Sequence, residues 1–244
     1  MTRTTSVIIP AFNEGERIKN VIEPLLNSKL TDEIIVVDDF STDNTSEVAS
    51  KYPRVKVIRM TENIGKTKSI LEGVNNSKGE YLLFLDADLI GLTSDDIDNL
   101  IRPVINGDAD QTISFRKKEY FFFTYIIPGN PILSGEKCMN KADFYKIMGS
   151  TYKSGYDFEL SANKYFLDNN KAIAVVIAES LNNTMKFKKR GFITGWVGDF
   201  KMATELIITF GVFEMIRQVF TISYKFHLLR LIRHKNILYL NNTI

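Results

Sequence analysis

The sequence is poor in the residues that most often do chemistry by themselves: in 244 residues there are one cysteine, Cys138, and two histidines, His227 and His234. A lone cysteine excludes an intramolecular disulfide framework and fits a reducing compartment. Both histidines lie near the C-terminal end, away from every other polar cluster, which argues against a histidine-rich zinc site and a Ser-His-Asp triad. Carboxylates and lysines must therefore carry any catalysis. No secretory leader is expected: Met1 to Ser6 is short and polar, and the apolar run Val7-Ile8-Ile9 stops at Pro10. Met202 to Ile222 is no transmembrane span, because Glu205, Glu214 and Arg217 interrupt it. No internal repeat, low-complexity tract or linker marks a second independent domain.

What is present is the composition of an ordinary globular chain, 44% hydrophobic and 25% charged, which excludes disorder as its main state. The net charge of +2 hides an asymmetry: residues 186–235 hold ten Lys/Arg against three acidic residues, leaving about −5 on the rest. The body is mildly acidic, and the basic tail is expected to meet something anionic.

The first half alternates short apolar runs with helical patterns. Strands are expected at Ser6–Pro10, Glu33–Asp38, Val55–Arg59, Gly79–Asp86 and Ala109–Phe115. Helices are expected at Arg17–Leu26, Asp43–Tyr52, Lys66–Ser77 and Asp95–Ile105. Strands apolar throughout and separated by helices predict an α/β fold, a mostly parallel sheet covered on both faces. Ligands of such sheets gather at the carboxyl ends of the strands, where Pro10 to Glu14, Asp38-Asp39, Thr61-Glu62-Asn63 and Asp86-Ala87-Asp88 fall. The second half is less regular: an apolar run at Phe121–Pro128, a loop from Gly129 to Gly135, helices at Lys141–Met148 and Asp157–Asp168, and a strand at Ala172–Ala178. One long helix or two fill Thr194–His234.

Asp86-Ala87-Asp88 closes an apolar strand, and two carboxylates on an extended Asp-x-Asp point to one side, where they can hold a hard cation. Taken alone, the pair equally fits two solvated or helix-capping aspartates. Asp38-Asp39-Phe40-Ser41-Thr42-Asp43 leaves a strand into a helix: Ser41 or Asp43 suits the cap, and Asp39 is left for a base or ribose. Asn63-Ile64-Gly65-Lys66 precedes a helix whose N-terminus can face a phosphate, with Lys66 adding charge, or it is a plain loop glycine beside a solvated lysine. It lacks the spacing of a P-loop.

In this order and spacing, Ser6 to Glu14, Ile35 to Asp43, Asn63 to Lys66 and Tyr81 to Asp88 together resemble the family 2 glycosyltransferases with a Rossmann-like GT-A fold. The resemblance is close over about the first 115 residues and looser to about 170. Phe40 stands where the family usually has glycine. The resemblance implies a nucleotide-sugar pocket lined by Pro10, Ala11, Asn13 and Glu14, with Asp38, Asp39 and Lys66 near base or phosphate. It places Asp86 at the ribose and makes Asp86 and Asp88 ligands of Mg²⁺ or Mn²⁺, with Asp88 the more direct. A metal there neutralises charge building on a departing diphosphate.

On the acceptor side, Gly155-Tyr156-Asp157-Phe158-Glu159 lies where the family carries an acid at a helix start. Asp157 is the first candidate base and Glu159 the second; an acid placed there by the helix dipole is the alternative. The same motif is similar to that of relatives that glycosylate a polyprenyl phosphate, an acceptor already ionised near neutral pH. Pro131 to Lys137, including Ser134, Gly135 and Glu136, resembles the acceptor-side loop of such enzymes, and Arg116, Lys117 and Lys118 are candidates for holding an anionic acceptor or are surface bases.

Leu206, Ile207, Phe210, Phe213, Ile216, Phe220 and Phe226 are too many apolar residues for a solvated helix, and Lys225, Arg230, Arg233 and Lys235 flank them. This pattern predicts a helix lying against anionic lipid; packing on the domain or on a second subunit is the competing reading, and nucleic acid is not expected. The organisation expected is a GT-A domain over 1–185, with donor binding in 1–115 and the acceptor side in 116–185, then a basic apolar helical tail over 186–244. The activity expected is inverting transfer from a nucleoside-diphosphate sugar, a UDP-sugar, to a lipid-linked or cell-envelope glycan acceptor at the cytoplasmic membrane face, with homo-oligomerisation open. The alternatives are a soluble-acceptor GT-A transferase, retaining enzymes included, a nucleotide-sugar-binding protein, or a nucleotidyltransferase, although Pro10 to Glu14 lacks the Gly-rich basic loop of the last.

Overall fold

A computed structural model describes residues 3–116, 131–150, 158–178, 180–183, 208–232 and 236–240. Strand β1 (Thr5–Ala11) leads to helix α1 (Lys19–Asn27), β2 (Glu33–Asp38) to α2 (Thr45–Ser50), and β3 (Val55–Arg59) to α3 (Lys66–Asn75). Strand β4 (Tyr81–Phe84) passes through the short β5 (Leu89–Ile90) into α4 (Ser94–Asn106) and β6 (Gln111–Arg116). β1 pairs in parallel with both β2 and β4, and β2 with β3. Alternate residues of each strand serve opposite faces, and both faces are covered. Val7, Ile9, Ile34 and Val36 pack with Val21 and Ile22 of α1 and Leu100 of α4, whereas Ile8, Ile35 and Val37 pack with Ile70 and Val74 of α3. That is why the strands read as unbroken apolar runs.

Local sequence sets the boundaries. The Thr93 hydroxyl accepts the Asp96 amide while the Asp96 carboxylate accepts the Thr93 amide, a capping box that starts α4, and Gly107 ends the helix at a φ of 80°.

The sequence reading missed several strands. β7 (Lys137–Asn140) lies antiparallel between β4 and β6, and β10 (Ile237–Tyr239) runs antiparallel to β8 (Ile173–Ala178). The eight-stranded order is β10-β8-β6-β7-β4-β1-β2-β3, and β5 pairs with β9 (Asn182–Asn183) in a separate two-stranded sheet. β7 is four residues long with a buried lysine, so neither its length nor its alternation announces a central strand. Its position moves Lys137, expected at the end of the acceptor-side loop, into the sheet, while Glu136 stays in the loop before it. Helices α5 (Lys141–Ser150) and α6 (Phe158–Asp168) occupy the expected places, and Pro131–Leu133 forms a 3₁₀ turn. The run Phe121–Pro128, the bases Lys117 and Lys118, and residues 184–207 and 233–235 lie outside the described residues.

The C-terminal helical extension is seated on the domain where it is described. Helix α7 (Val212–Gln218), a π-helical turn (Val219–Tyr224) and α8 (Lys225–Ile232) follow one another. Ile222, Phe226 and Leu229 enter the same core as Ile8 and Phe84, and the Phe226 ring centroid is 4.5 Å from that of Phe115. Arg230, expected among the bases facing lipid, instead sets its guanidinium 5.0 Å from the Phe115 ring centroid. The opposite face is apolar yet open: Val212, Phe213, Ile216, Phe220 and Tyr224 are exposed. Among the described residues, no helix is long and apolar enough to cross a membrane.

The two faces predict different mutational costs. In urea denaturation, Phe226→Ala is expected to lose about 3–5 kcal/mol of stability by leaving a core cavity. Phe220→Ala, at a side chain 62% exposed, is expected to change it by less than about 0.5 kcal/mol.

Candidate active site

The polar residues after β1, β2 and β4 and those opening α3 share the carboxyl rim of the sheet. After β1, Asn13 adopts a φ of 56°, its amide donates to Ser41 Oγ at 2.9 Å, and its Oδ1 accepts the Thr42 amide at 2.9 Å. The Glu14 amide donates to Thr45 Oγ1 at 2.8 Å, and its carboxylate pairs with Arg17. Two strand ends are thus laced into one rim, with Pro10 and Ala11 at its base. Asp38, fully buried, accepts the Ser41 amide at 2.9 Å and the Ser46 hydroxyl, so its oxygens hold the turn. Asp39 accepts the amides of Ile64 at 2.7 Å and Gly65 at 2.9 Å. It therefore fastens the Asn63-to-Lys66 loop to β2, a use the sequence reading did not foresee. Phe40 takes a φ of 64°, a left-handed conformation that explains glycine as the usual residue there. An L side chain at that φ costs about 1–2 kcal/mol.

Past β4, burial alternates: Leu85, Ala87 and Leu89 are buried, whereas Asp86 and Asp88 are only partly so. The strand itself ends at Phe84, so the acidic pair sits on the exit segment and not on the strand as expected, but the alternation still turns both aspartates away from the core. Lys66, the first residue of α3, places Nζ 2.7 Å from Asp86 Oδ1 and 2.8 Å from Glu159 Oε1. Burial alone lowers the Lys66 pKa, but the charges and hydrogen bonds of Asp86 and Glu159 outweigh it and raise the pKa above the ordinary value. Arg17 lies in the field of Asp88 as well as pairing with Glu14; burial opposes, yet these acids raise its pKa.

The residues expected on the acceptor side close on the same place. A Cβ built on Gly135 would lie 2.7 Å from each Asp86 oxygen, so only glycine lets this loop approach the carboxylate. Ser134 donates to Glu136 at 2.8 Å, and Arg116 reaches the same Glu136 oxygen at 3.2 Å, with both partners of that ion pair buried. Arg116 thus lies within the protein instead of presenting an exposed charge. Glu159, the second candidate base, is brought to Lys66; Asp157, the first, lies outside the described residues.

Three buried polar residues behind the site were given no individual role from sequence. Lys137, Asn163 and Gln218 are fully buried, and Lys137 Nζ donates to Asn163 Oδ1 at 3.0 Å. Burial pushes the Lys137 pKa down to about 7; Glu159 and Glu136 hold it up, and Lys66 presses it further down. The available signal was polarity at core-facing positions: a lysine entering Cys138-Met139 and amides on apolar helices.

Asp86 and Asp88 supply hard oxygen donors, and among the described residues no group of three or more His, Cys, Asp or Glu gathers into a ligand set. The pair could hold Mg²⁺ or Mn²⁺ if phosphate oxygens and water supplied the other ligands, the usual way Mg²⁺ is held.

A mostly parallel α/β sheet with carboxylates, a lysine and helix starts on its carboxyl rim belongs to the class of open α/β proteins whose ligands gather at that rim. The family model described as "Glycosyl transferase family 2" matches residues 6–163, and the chain belongs to that family. Over 102 residues it is 38% identical to a dolichyl-phosphate beta-glucosyltransferase of Mus musculus, covering 36% of this chain and 32% of that protein. Over 90 residues it is 41% identical to a dolichol-phosphate mannosyltransferase of Pyrococcus furiosus, covering 34% and 25%. The matches thus span about a third or less of these relatives' lengths. The fold is shared with glucosyl-3-phosphoglycerate synthase from Mycobacterium tuberculosis, solved with Mn²⁺ and UDP-glucose. The TM-score is 0.68 at 21% identity, covering 85% of this chain and 79% of that one.

Lys137 makes stability depend on pH in a defined direction. The folded lysine releases its proton near 7, whereas the unfolded chain keeps it to about 10.5, so between these values the unfolded state binds more protons. Stability therefore rises with pH from about 7 until Cys138, whose buried thiol is pushed up, begins to ionise in the unfolded chain near 9.0. Urea midpoints measured between pH 7 and 8.5 are expected to climb in the wild type and to climb less in Lys137→Met, by about the one-proton contribution.

Proposed function

We propose that the chain transfers a sugar from a nucleoside-diphosphate sugar, a UDP-sugar, to a lipid-linked or cell-envelope glycan acceptor, with inversion at the anomeric carbon. The observation carrying this reading is the convergence of Asp86, Lys66, Glu159 and Gly135 at one point of the sheet rim. It unites the donor-side motifs with the acceptor-side loop and helix.

In this reading Asp39, Asn13 and the Asn63-to-Lys66 loop frame the nucleotide, and Lys66 meets the diphosphate. Asp86 and Asp88 would hold Mg²⁺ or Mn²⁺, which stabilises negative charge on the diphosphate. The acceptor oxygen attacks the anomeric carbon as the bond to the diphosphate oxygen breaks, and the electron pair leaves with the diphosphate. A polyprenyl phosphate is already ionised and needs no base, whereas a hydroxyl acceptor passes its proton to a carboxylate, Asp157 or Glu159. With one Glu159 oxygen engaged by Lys66, Glu159 serves to position the lysine, and Asp157 takes the base role for a hydroxyl.

The names of the two polyprenyl-phosphate relatives support the lipid acceptor, and the UDP-glucose bound to the structural neighbour supports the donor. The exposed apolar face of α7 and the π turn, with exposed Lys225 beside it, supports docking on an anionic membrane surface. That surface would bring the site to a lipid-borne acceptor.

The test is release of nucleoside diphosphate from a panel of UDP-sugars, with Mg²⁺ or Mn²⁺ and with or without polyprenyl phosphate in anionic vesicles. One donor is expected to turn over, faster with the lipid phosphate and not at all with EDTA, and Asp88→Asn is expected to lower the rate by about 100-fold or more. Turnover that ignores EDTA and Asp88→Asn, or no turnover of any donor, contradicts the proposal.

A further inference from the structure

Between the C-terminal segment and the helix that carries Glu159 lies a buried chain of polar groups that the reaction itself does not use. Lys137 Nζ donates to Asn163 Oδ1 at 3.0 Å. Asn163 Nδ2 donates to the Ile132 carbonyl at 2.9 Å and to Gln218 Oε1 at 3.3 Å. Gln218 Nε2 donates in turn to the Leu160 carbonyl at 3.1 Å and to Glu214 Oε1 at 2.9 Å. Lys137, Asn163 and Gln218 are all at 0% exposure. The chain joins β7, the 3₁₀ turn of the acceptor-side loop, α6 and the end of α7.

Burying two amides and an ammonium costs more than burying aliphatic side chains of the same size. What such a network adds is direction, because each hydrogen bond fixes an angle as well as a distance. Leu160 follows Glu159 directly, and Asn163 lies one turn further along α6. A hydrogen bond to the Leu160 carbonyl and another to Asn163 hold the first turn of the helix in rotation and in height. Glu159, on that turn, fixes the Lys66 ammonium, which in turn fixes Asp86.

We propose that Gln218, outside the segment matched by the family model, is a positioning residue for the donor site. It sets the first turn of α6, and hence Glu159, Lys66 and Asp86, through Asn163 and the Leu160 carbonyl. The inference rests on the glycosyl-transfer reading for its effect on rate and on the hydrogen bonds alone for its effect on α6.

The experiment compares wild type, Gln218→Met and Ile222→Ala by two readouts: donor turnover, resolved into kcat and KM, and backbone amide exchange of residues 159–164 in the ligand-free protein. Gln218→Met keeps the length of the side chain and removes its amide; Ile222→Ala loosens the same C-terminal segment without touching an amide. Gln218→Met is expected to lower kcat about tenfold, to leave the donor KM within about twofold, and to speed exchange in α6. Ile222→Ala is expected to lower the melting temperature and to keep kcat within about twofold. Wild-type kcat and exchange in Gln218→Met overturn the proposal, as does an equal loss of kcat in Ile222→Ala, which would make the effect one of general loosening. If the wild-type chain turns over no donor, the glycosyl-transfer reading fails, and the exchange of α6 alone decides whether Gln218 positions the helix.

Discussion

One ammonium joins the two halves of this molecule. Lys66 opens α3 at the carboxyl rim of the sheet and reaches both Asp86 on the exit from β4 and Glu159 on α6. Its side chain is 31% exposed, so the interaction is neither a solvated surface pair nor a sealed one. At that depth the attraction between opposite charges is less screened than on the surface, and it outweighs the cost of partial desolvation. Much of the rim geometry follows from it: the Asp39 carboxylate holds the loop before Lys66, Gly135 leaves room for Asp86, and α6 must present Glu159 at the right height.

The first half of the chain was legible from sequence because each of its features is local. Strands buried on both faces show as apolar runs, helix starts show as caps, and the acidic and glycine-containing turns fall at the ends of those runs. Even the departure at Phe40 proved local, a left-handed residue held in the β2–α2 turn. The second half was harder to read because its organisation depends on distant pairing. β7 inserts antiparallel between β4 and β6, and β10 returns from the far end of the chain to β8. Neither strand is long enough to carry a period. Lys137, Asn163 and Gln218 look like misplaced polar residues until the fold brings them together, and no spacing in the sequence connects positions 137, 163 and 218.

The C-terminal segment shows how a helix apolar all round can satisfy two demands. Ile222, Phe226 and Leu229 complete a core that begins at the first strand, while Val212, Phe213, Ile216, Phe220 and Tyr224 face outward. Arg230 looks like part of a basic flank in the sequence but packs on Phe115. Composition alone cannot assign such residues to a face, because the π-helical turn shifts the angular register between α7 and α8.

Lys66 holds the Asp86 carboxylate that a divalent cation would share. Mn²⁺ binding to the ligand-free protein, followed by electron paramagnetic resonance, tests this directly in wild type, Lys66→Met and Asp86→Asn. Removing the competing ammonium is expected to tighten Mn²⁺ about tenfold in Lys66→Met, and removing the carboxylate is expected to abolish binding in Asp86→Asn. Equal Mn²⁺ affinity in all three proteins would contradict it.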